Sequence, residues 1–127
     1  MNVVDTSGWL EFFSGGENAH VFANPIRRST ELIIPAICIY EISKVVLRES
    51  DEDHLLQILA ALQKGTIVEL TPALASSAAK VSLKHKLPMA DSIVYATARA
   101  HRAHVWTQDS DFKELPDVTY IAKDYYK

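Results

Sequence analysis

Leu32-Ile33-Ile34-Pro35 is an unbroken apolar run ending in proline, and Ala36-Ile37-Cys38-Ile39-Tyr40-Glu41-Ile42 follows it with helical periodicity. A strand that alternates apolar and polar residues keeps one wet face, whereas a strand without alternation is buried on both. Proline suits the first turn of a helix, where an N–H would have no partner in any case. The stretch therefore predicts a strand inside a parallel sheet, covered on both faces and feeding a helix over residues 36–49.

The same alternation runs through the rest of the chain. Asn2-Val3-Val4 reads as a first strand, Trp9–Phe13 as the start of a helix, and residues 18–29 as a second helix interrupted or restarted at Pro25. Ser50-Asp51 caps a helix running to Lys64 and closed by Gly65, before a third strand at Thr66–Leu70. Thr71-Pro72 opens a helix that Leu87-Pro88 ends; another covers residues 90–102. His104–Thr107 and Val118–Ile121 are the fourth and fifth strands. The expectation is one domain over residues 1–127, of α/β class, with a mainly parallel five-stranded sheet and right-handed crossovers. In such sheets functional side chains gather beyond the carboxyl ends of the strands.

Composition narrows the function. The 127 residues are 48% hydrophobic and 23% charged, enough apolar material for a core and too balanced for disorder. Net charge is −3, which argues against a generic polyanion binder. No apolar run reaches the roughly 18 residues of a membrane span, and Met1-Asn2-Val3-Val4-Asp5 has no signal-peptide pattern. The single cysteine, Cys38, excludes an internal disulfide and fits a reducing cytoplasm. His101 and His104 lack partner ligands for a zinc site.

Four acids fall where this architecture delivers side chains to one sheet edge. Asp5 ends the first strand, Glu41 lies mid-helix, Asp91 starts the 90–102 helix, and Asp109 follows the fourth strand. Asp111 is a candidate fifth. Each has an ordinary alternative role. Asp5 suits an N-cap, Glu41 an ion pair with Lys44, Asp91 a partner for the helix dipole, and Asp109 an Asx-turn. Ile37, Cys38 and Val45 share the face of Glu41, so that position is not a solvent stripe. Convergence of all four on one edge is the less ordinary feature. Two carboxylates about 5 Å apart repel by roughly 3 kcal/mol at an effective dielectric near 20, and a divalent cation relieves this. Oxygen-only ligands suit Mg²⁺ or Mn²⁺.

These residues resemble a known pattern. Val3-Val4-Asp5-Thr6-Ser7, Ile39-Tyr40-Glu41-Ile42, Pro88-Met89-Ala90-Asp91-Ser92-Ile93-Val94-Tyr95-Ala96-Thr97-Ala98 and Thr107-Gln108-Asp109-Ser110-Asp111-Phe112 together look like a PIN-domain ribonuclease of the VapC type, the toxin of a toxin–antitoxin pair. Ala36 departs from the Ser or Thr often found at the start of that helix, which removes a local cap and leaves the acids untouched. The resemblance implies a three-layer α/β/α sandwich, an endoribonuclease dependent on Mg²⁺ or Mn²⁺, homodimerisation and inhibition by a small antitoxin. It maps the metal-holding acids to Asp5, Asp91 and Asp109. Glu41 completes a second metal site or orients water, and Asp111 is an accessory acid. Thr6 and Thr107 match polar positions that support the first and fourth acids. Among the cations, Lys44 and Arg48 lie one and two turns beyond Glu41 and are the first candidates to touch the RNA backbone. The groove between Trp9–Phe13 and the 36–62 helices is read as a seat for an amphipathic antitoxin helix. Trp9 and Trp106 are assigned to the core.

Other readings compete with this one. A phosphoacceptor receiver domain wants an aspartate at the end of the third strand, where Glu69-Leu70-Thr71 has none. A haloacid-dehalogenase-type phosphatase wants a second aspartate where Ser7 stands. A non-catalytic PIN-fold scaffold for RNA or protein, and a PIN nuclease of RNA processing, remain as alternatives.

Overall fold

The computed structural model describes residues 1–123. Five strands form one sheet: β1 (Asn2–Val4), β2 (Leu32–Pro35), β3 (Thr66–Val68), β4 (His104–Thr107) and β5 (Val118–Tyr120). Their order is β3-β2-β1-β4-β5, and all four pairings are parallel. β1 is thus central, with Val3 opposite Ile33 on one side and Val105 on the other. Val3, Val4, Ile34 and Val105 are fully buried, the result expected of strands without alternation.

Six helices connect the strands: α1 (Thr6–Ser14), α2 (Ala19–Arg27), α3 (Ala36–Glu49), α4 (Glu52–Leu62), α5 (Pro72–His85) and α6 (Met89–Ala100). The chain steps from β1 to β2 to β3 in one direction, then returns across the sheet to β4. Right-handed crossovers therefore place α1–α4 on one face and α5 and α6 on the other. The packing agrees, with α1 against α2 and α3, and α5 against α6.

Several boundaries differ from the sequence expectation. α2 runs through Pro25 and ends at Arg27, followed by a 3-10 turn at Ser29–Glu31; burial of the Pro25 ring offsets its missing N–H. Pro35 is the last residue of β2 and caps α3 from outside, with no side-chain cap bond. α4 ends at Leu62, ahead of Gly65. β3 stops at Val68, where its partner β2 ends at Pro35. α6 stops at Ala100 because Arg102 adopts a left-handed backbone, φ 52°. Trp9 is buried, as expected; Trp106 is only partly so, its indole N–H donating to Asn2 Oδ1 at 2.9 Å.

Gly8 sets how closely α1 approaches the sheet. A Cβ there would lie 2.6 Å from Val4 Cγ1 and 2.7 Å from the Phe22 ring, both fully buried. Gly8→Ala is expected to destabilise the protein by about 2 kcal/mol from overpacking, even after a helix-propensity gain near 1 kcal/mol. Urea unfolding checks this; a neutral or stabilising result would show that α1 has room to move.

Candidate metal centre

The reversal of strand order between β1 and β4 opens a crevice at their carboxyl ends. Asp5 sits at its base. Its N–H continues the ladder to Trp106 O at 3.1 Å, and its carboxylate caps α1 by accepting from Gly8 N at 3.1 Å. Ser7 Oγ donates to Oδ1 and Thr107 Oγ1 to Oδ2, each at 2.7 Å. The residue is only 4% exposed. Burial raises the Asp5 pKa to about 6, against the pull of those three hydrogen bonds and with a further push from the Asp109 charge. The N-cap role and a place in the acidic cluster thus coincide.

Thr107, the fully buried end of β4, bonds two segments at once. Its hydroxyl donates to Asp5 and accepts from Asp109 N at 2.8 Å. Ser7 makes a parallel tie, accepting from Gln108 N at 3.0 Å while donating to Asp5. Asp109 then caps a 3-10 turn, Ser110–Phe112, with Oδ1 accepting from Asp111 N at 2.9 Å. Fully buried Phe112 anchors that turn in the core.

Asp91 enters from the opposite layer, in the first turn of α6. Its carboxyl is pushed up to about 8, first by burial, then by the charge of Asp109 and a hydrogen bond between the two carboxyls, then by Asp5 and Asp111. Asp91, Asp109 and Asp111 each offer a carboxylate oxygen within 4.8 Å of the others. Asp5 adjoins this trio closely enough for its charge to act on Asp91. Among the described residues, no Lys or Arg forms an ion pair with Asp5, Glu41, Asp91, Asp109 or Asp111.

Glu41 lies on the rim rather than in the trio. Its Oε1 accepts from Thr6 Oγ1 at 2.7 Å, so Thr6 holds the second acid and not the first. Lys44 does not pair with Glu41; its ammonium stands over the Tyr40 ring, 6.0 Å from the centroid. Fully buried Cys38, one turn before Glu41, lies near both Asp5 and Glu41. Burial pushes its thiol pKa up and the two carboxylates add to that, which leaves it unreactive.

A groove of about 900 Å³ adjoins the acids, with Leu10 and Phe13 of α1, Val45 and Arg48 of α3, Ile58 of α4 and Asp109 among its lining residues. Arg48 is exposed there and paired to neighbouring Glu49 at 3.2 Å, while Lys44 lies outside the groove. Ser7 is a site residue that the sequence expectation does not include. The only signal was a second hydroxyl residue directly after Asp5-Thr6.

The chain resembles a toxin–antitoxin complex protein from Klebsiella pneumoniae, with a TM-score of 0.81 and 22% identity, covering 94% of this chain and 96% of that one. A chain of VapBC2 from Rickettsia felis, solved bound to a promoter DNA fragment, matches with a TM-score of 0.73 and 13% identity over 97% and 98% of the two chains. VapC20 of Mycobacterium tuberculosis, a sarcin–ricin loop cleaving toxin, matches with a TM-score of 0.76 and 15% identity over 93% and 97%. At these identities the likeness is one of fold. Comparison with curated proteins gives no match. The PIN domain family model covers residues 3–118, nearly the whole of the sheet and every acid of the crevice, and the chain belongs to the PIN domain family.

Proposed function

We propose that this protein is a metal-dependent endoribonuclease, the toxin of a toxin–antitoxin pair. The observation that carries the reading is the uncompensated acid cluster at the sheet's switch point. Three carboxylates stand within 4.8 Å of one another beside buried Asp5, and no basic side chain among the described residues pairs with them. An arrangement that raises the pKa of Asp5 and Asp91 is unfavourable for the free protein and favourable for a hard cation.

The all-oxygen donor set fits Mg²⁺ or Mn²⁺. Asp5, Asp91 and Asp109 would hold the ion, with Asp111 as an added oxygen donor. When bound, such a cation lowers the pKa of water and offsets charge developing on phosphoryl oxygens. The protein's own groups do the positioning. Ser7, Gly8 and Thr107 fix both oxygens of Asp5, and Thr6 aims Glu41 as the group that orients the attacking water. In-line attack expels the 3′-oxygen and leaves 5′-phosphate and 3′-hydroxyl ends. Arg48, on the groove beside Asp109, and Lys44 on the same helix contact the RNA backbone.

A nuclease that cuts cellular RNA needs restraint. The groove of α1, α3 and α4 accepts an amphipathic segment of a cognate antitoxin, whose arginine would pair with the acids. The toxin–antitoxin complexes among the structural neighbours support this assignment. Action on RNA in the cytoplasm, as a homodimer, completes the proposal. No helix among the described residues is long and apolar enough to cross a membrane.

The test is cleavage of defined RNA by purified protein, with end-group analysis. Mn²⁺ should support cleavage and EDTA abolish it, with 5′-phosphate on the downstream product. A 2′,3′-cyclic phosphate, or cleavage unaffected by EDTA, would reject the metal reading in favour of attack by the ribose hydroxyl. Metal binding without any cleavage would favour the scaffold alternative.

A further inference from the structure

Glu11 is a buried carboxylate with no part in the acid cluster. It lies in α1, is 3% exposed, and is roofed by the turn that joins α1 to α2. A Cβ on Gly16 would stand 2.2 Å from Glu11 Oε1, so only glycine lets the turn close over this carboxylate. Oε2 accepts from Asn18 N at 2.9 Å, and Oε1 pairs with Lys123 Nζ at 3.4 Å. The carboxylate therefore fixes the backbone of Asn18, the residue just before α2.

From that fixed base the Asn18 side chain reaches across to the acid-bearing loop. Its Nδ2 donates to Gln108 Oε1 at 2.7 Å and to Ala122 O at 3.3 Å. Gln108 stands between Thr107, which donates to Asp5, and Asp109. Its own N–H donates to Ser7 Oγ. An unbroken series of hydrogen bonds thus runs from Glu11 through Asn18, Gln108 and Ser7 to Asp5. The turn carrying Asp109 and Asp111 must stay close to Asp91 despite the repulsion among the three acids. A loop under such repulsion needs an external restraint, and the Asn18–Gln108 contact supplies one from outside the loop.

We propose that Asn18 is a positioning residue for the acidic site: seated on buried Glu11, it clamps Gln108 and holds the Thr107–Asp111 turn against Asp5 and Asp91. The proposal rests on the metal-site reading for its effect on cation binding, while the clamp itself is a property of the metal-free protein. Loss of a group hydrogen-bonded directly to a ligand typically weakens metal affinity by about 10–100-fold, and Asn18, acting one bond further out through Gln108, is expected at the lower end of that range.

The experiment uses Asn18→Ala, Gln108→Ala and the double variant of the full chain. Mn²⁺ affinity is measured by calorimetry, and amide exchange of Gln108 and Asp109 by NMR without metal. Each single variant should bind Mn²⁺ about tenfold more weakly, and the double variant no more weakly than Asn18→Ala, because both substitutions remove the same Asn18–Gln108 bond and only Asn18→Ala also removes the bond to Ala122 O. The two amides, which donate to Ser7 and Thr107, should exchange faster in every variant. Gly16→Ala, which displaces the Glu11 carboxylate, should give the same signature with Asn18 and Gln108 intact. A role in stability alone would lower the melting temperature while leaving the Mn²⁺ affinity of folded protein and the two exchange rates unchanged, and that result overturns the proposal. Additive losses in the double variant also overturn it. Should the wild type bind no Mn²⁺, the metal reading falls. The clamp is then decided by exchange alone, with faster exchange supporting it and unchanged exchange rejecting it.

Discussion

Asp5→Asn should lower RNA cleavage by about a hundred- to a thousandfold, the scale seen when one charged or polar group is withdrawn from a site that stabilises transition-state charge. The substitution removes the negative charge and keeps the shape. Asn Oδ1 can still accept from Gly8 N and Ser7 Oγ, which preserves the N-cap of α1. On the other side the amide donates to Thr107 Oγ1, whose hydroxyl already accepts from Asp109 N and has a second lone pair. The Thr107 proton loses its acceptor, at a cost of about 1 kcal/mol, and removal of a buried charge beside Asp109 offsets much of that. Thermal melting without metal should therefore show a variant as stable as the parent. Retained cleavage at an unchanged melting temperature would remove Asp5 from the mechanism.

The second large effect is on stability. Asp5 and Asp91 have pKa values of about 6 and about 8 in the folded protein, above the ordinary 3.8. The folded state thus holds protons that the unfolded chain has already released. Their contribution to stability is fully present below about pH 4 and is lost as pH rises, through about 6 for Asp5 and about 8 for Asp91. The metal-free protein should melt at progressively lower temperature between pH 5 and pH 8.5. Asp91→Asn should flatten the upper part of that decline. Mn²⁺ requires the ionised carboxylates, so its uptake at pH 6.5 should release protons and its affinity should rise with pH. At pH 8 and a hundredfold excess over the dissociation constant, Mn²⁺ should add about 2.7 kcal/mol, a rise of roughly 8–10 °C in melting temperature. A flat metal-free profile would show that the acids do not act on one another, and a melting temperature indifferent to Mn²⁺ would reject the metal reading.

Much of this architecture was legible in the chain because the deciding signals are local. Leu32-Ile33-Ile34 lacks alternation, and that alone indicates a strand buried on both faces. Asp5, Asp91 and Asp109 lie at element ends that topology sends to one edge, so their meeting needed no side-chain detail. What escaped the sequence depends on contacts between distant segments. Thr6 bonds Glu41, 35 positions away, and Ser7 bonds Gln108, 101 positions away; spacing along the chain carries no trace of either. Glu11 sits in Trp9-Leu10-Glu11-Phe12-Phe13 like any acid on an amphipathic helix, and only the fold of Gly15-Gly16 over it makes it a buried anchor. Pro25 misled for a related reason: its local bias against helix was outweighed by burial of its ring.

The central position of β1 has a consequence for synthesis. Its two hydrogen-bonded neighbours are β2, available early, and β4, which begins at His104. A polypeptide still emerging from the ribosome without residues 104–111 lacks one flank of β1 as well as Asp109 and Asp111, so Asp5 has no Thr107 to bond and Asp91 has neither acid of the β4 turn to meet. The acidic site is therefore expected to assemble only after most of the polypeptide has left the exit tunnel.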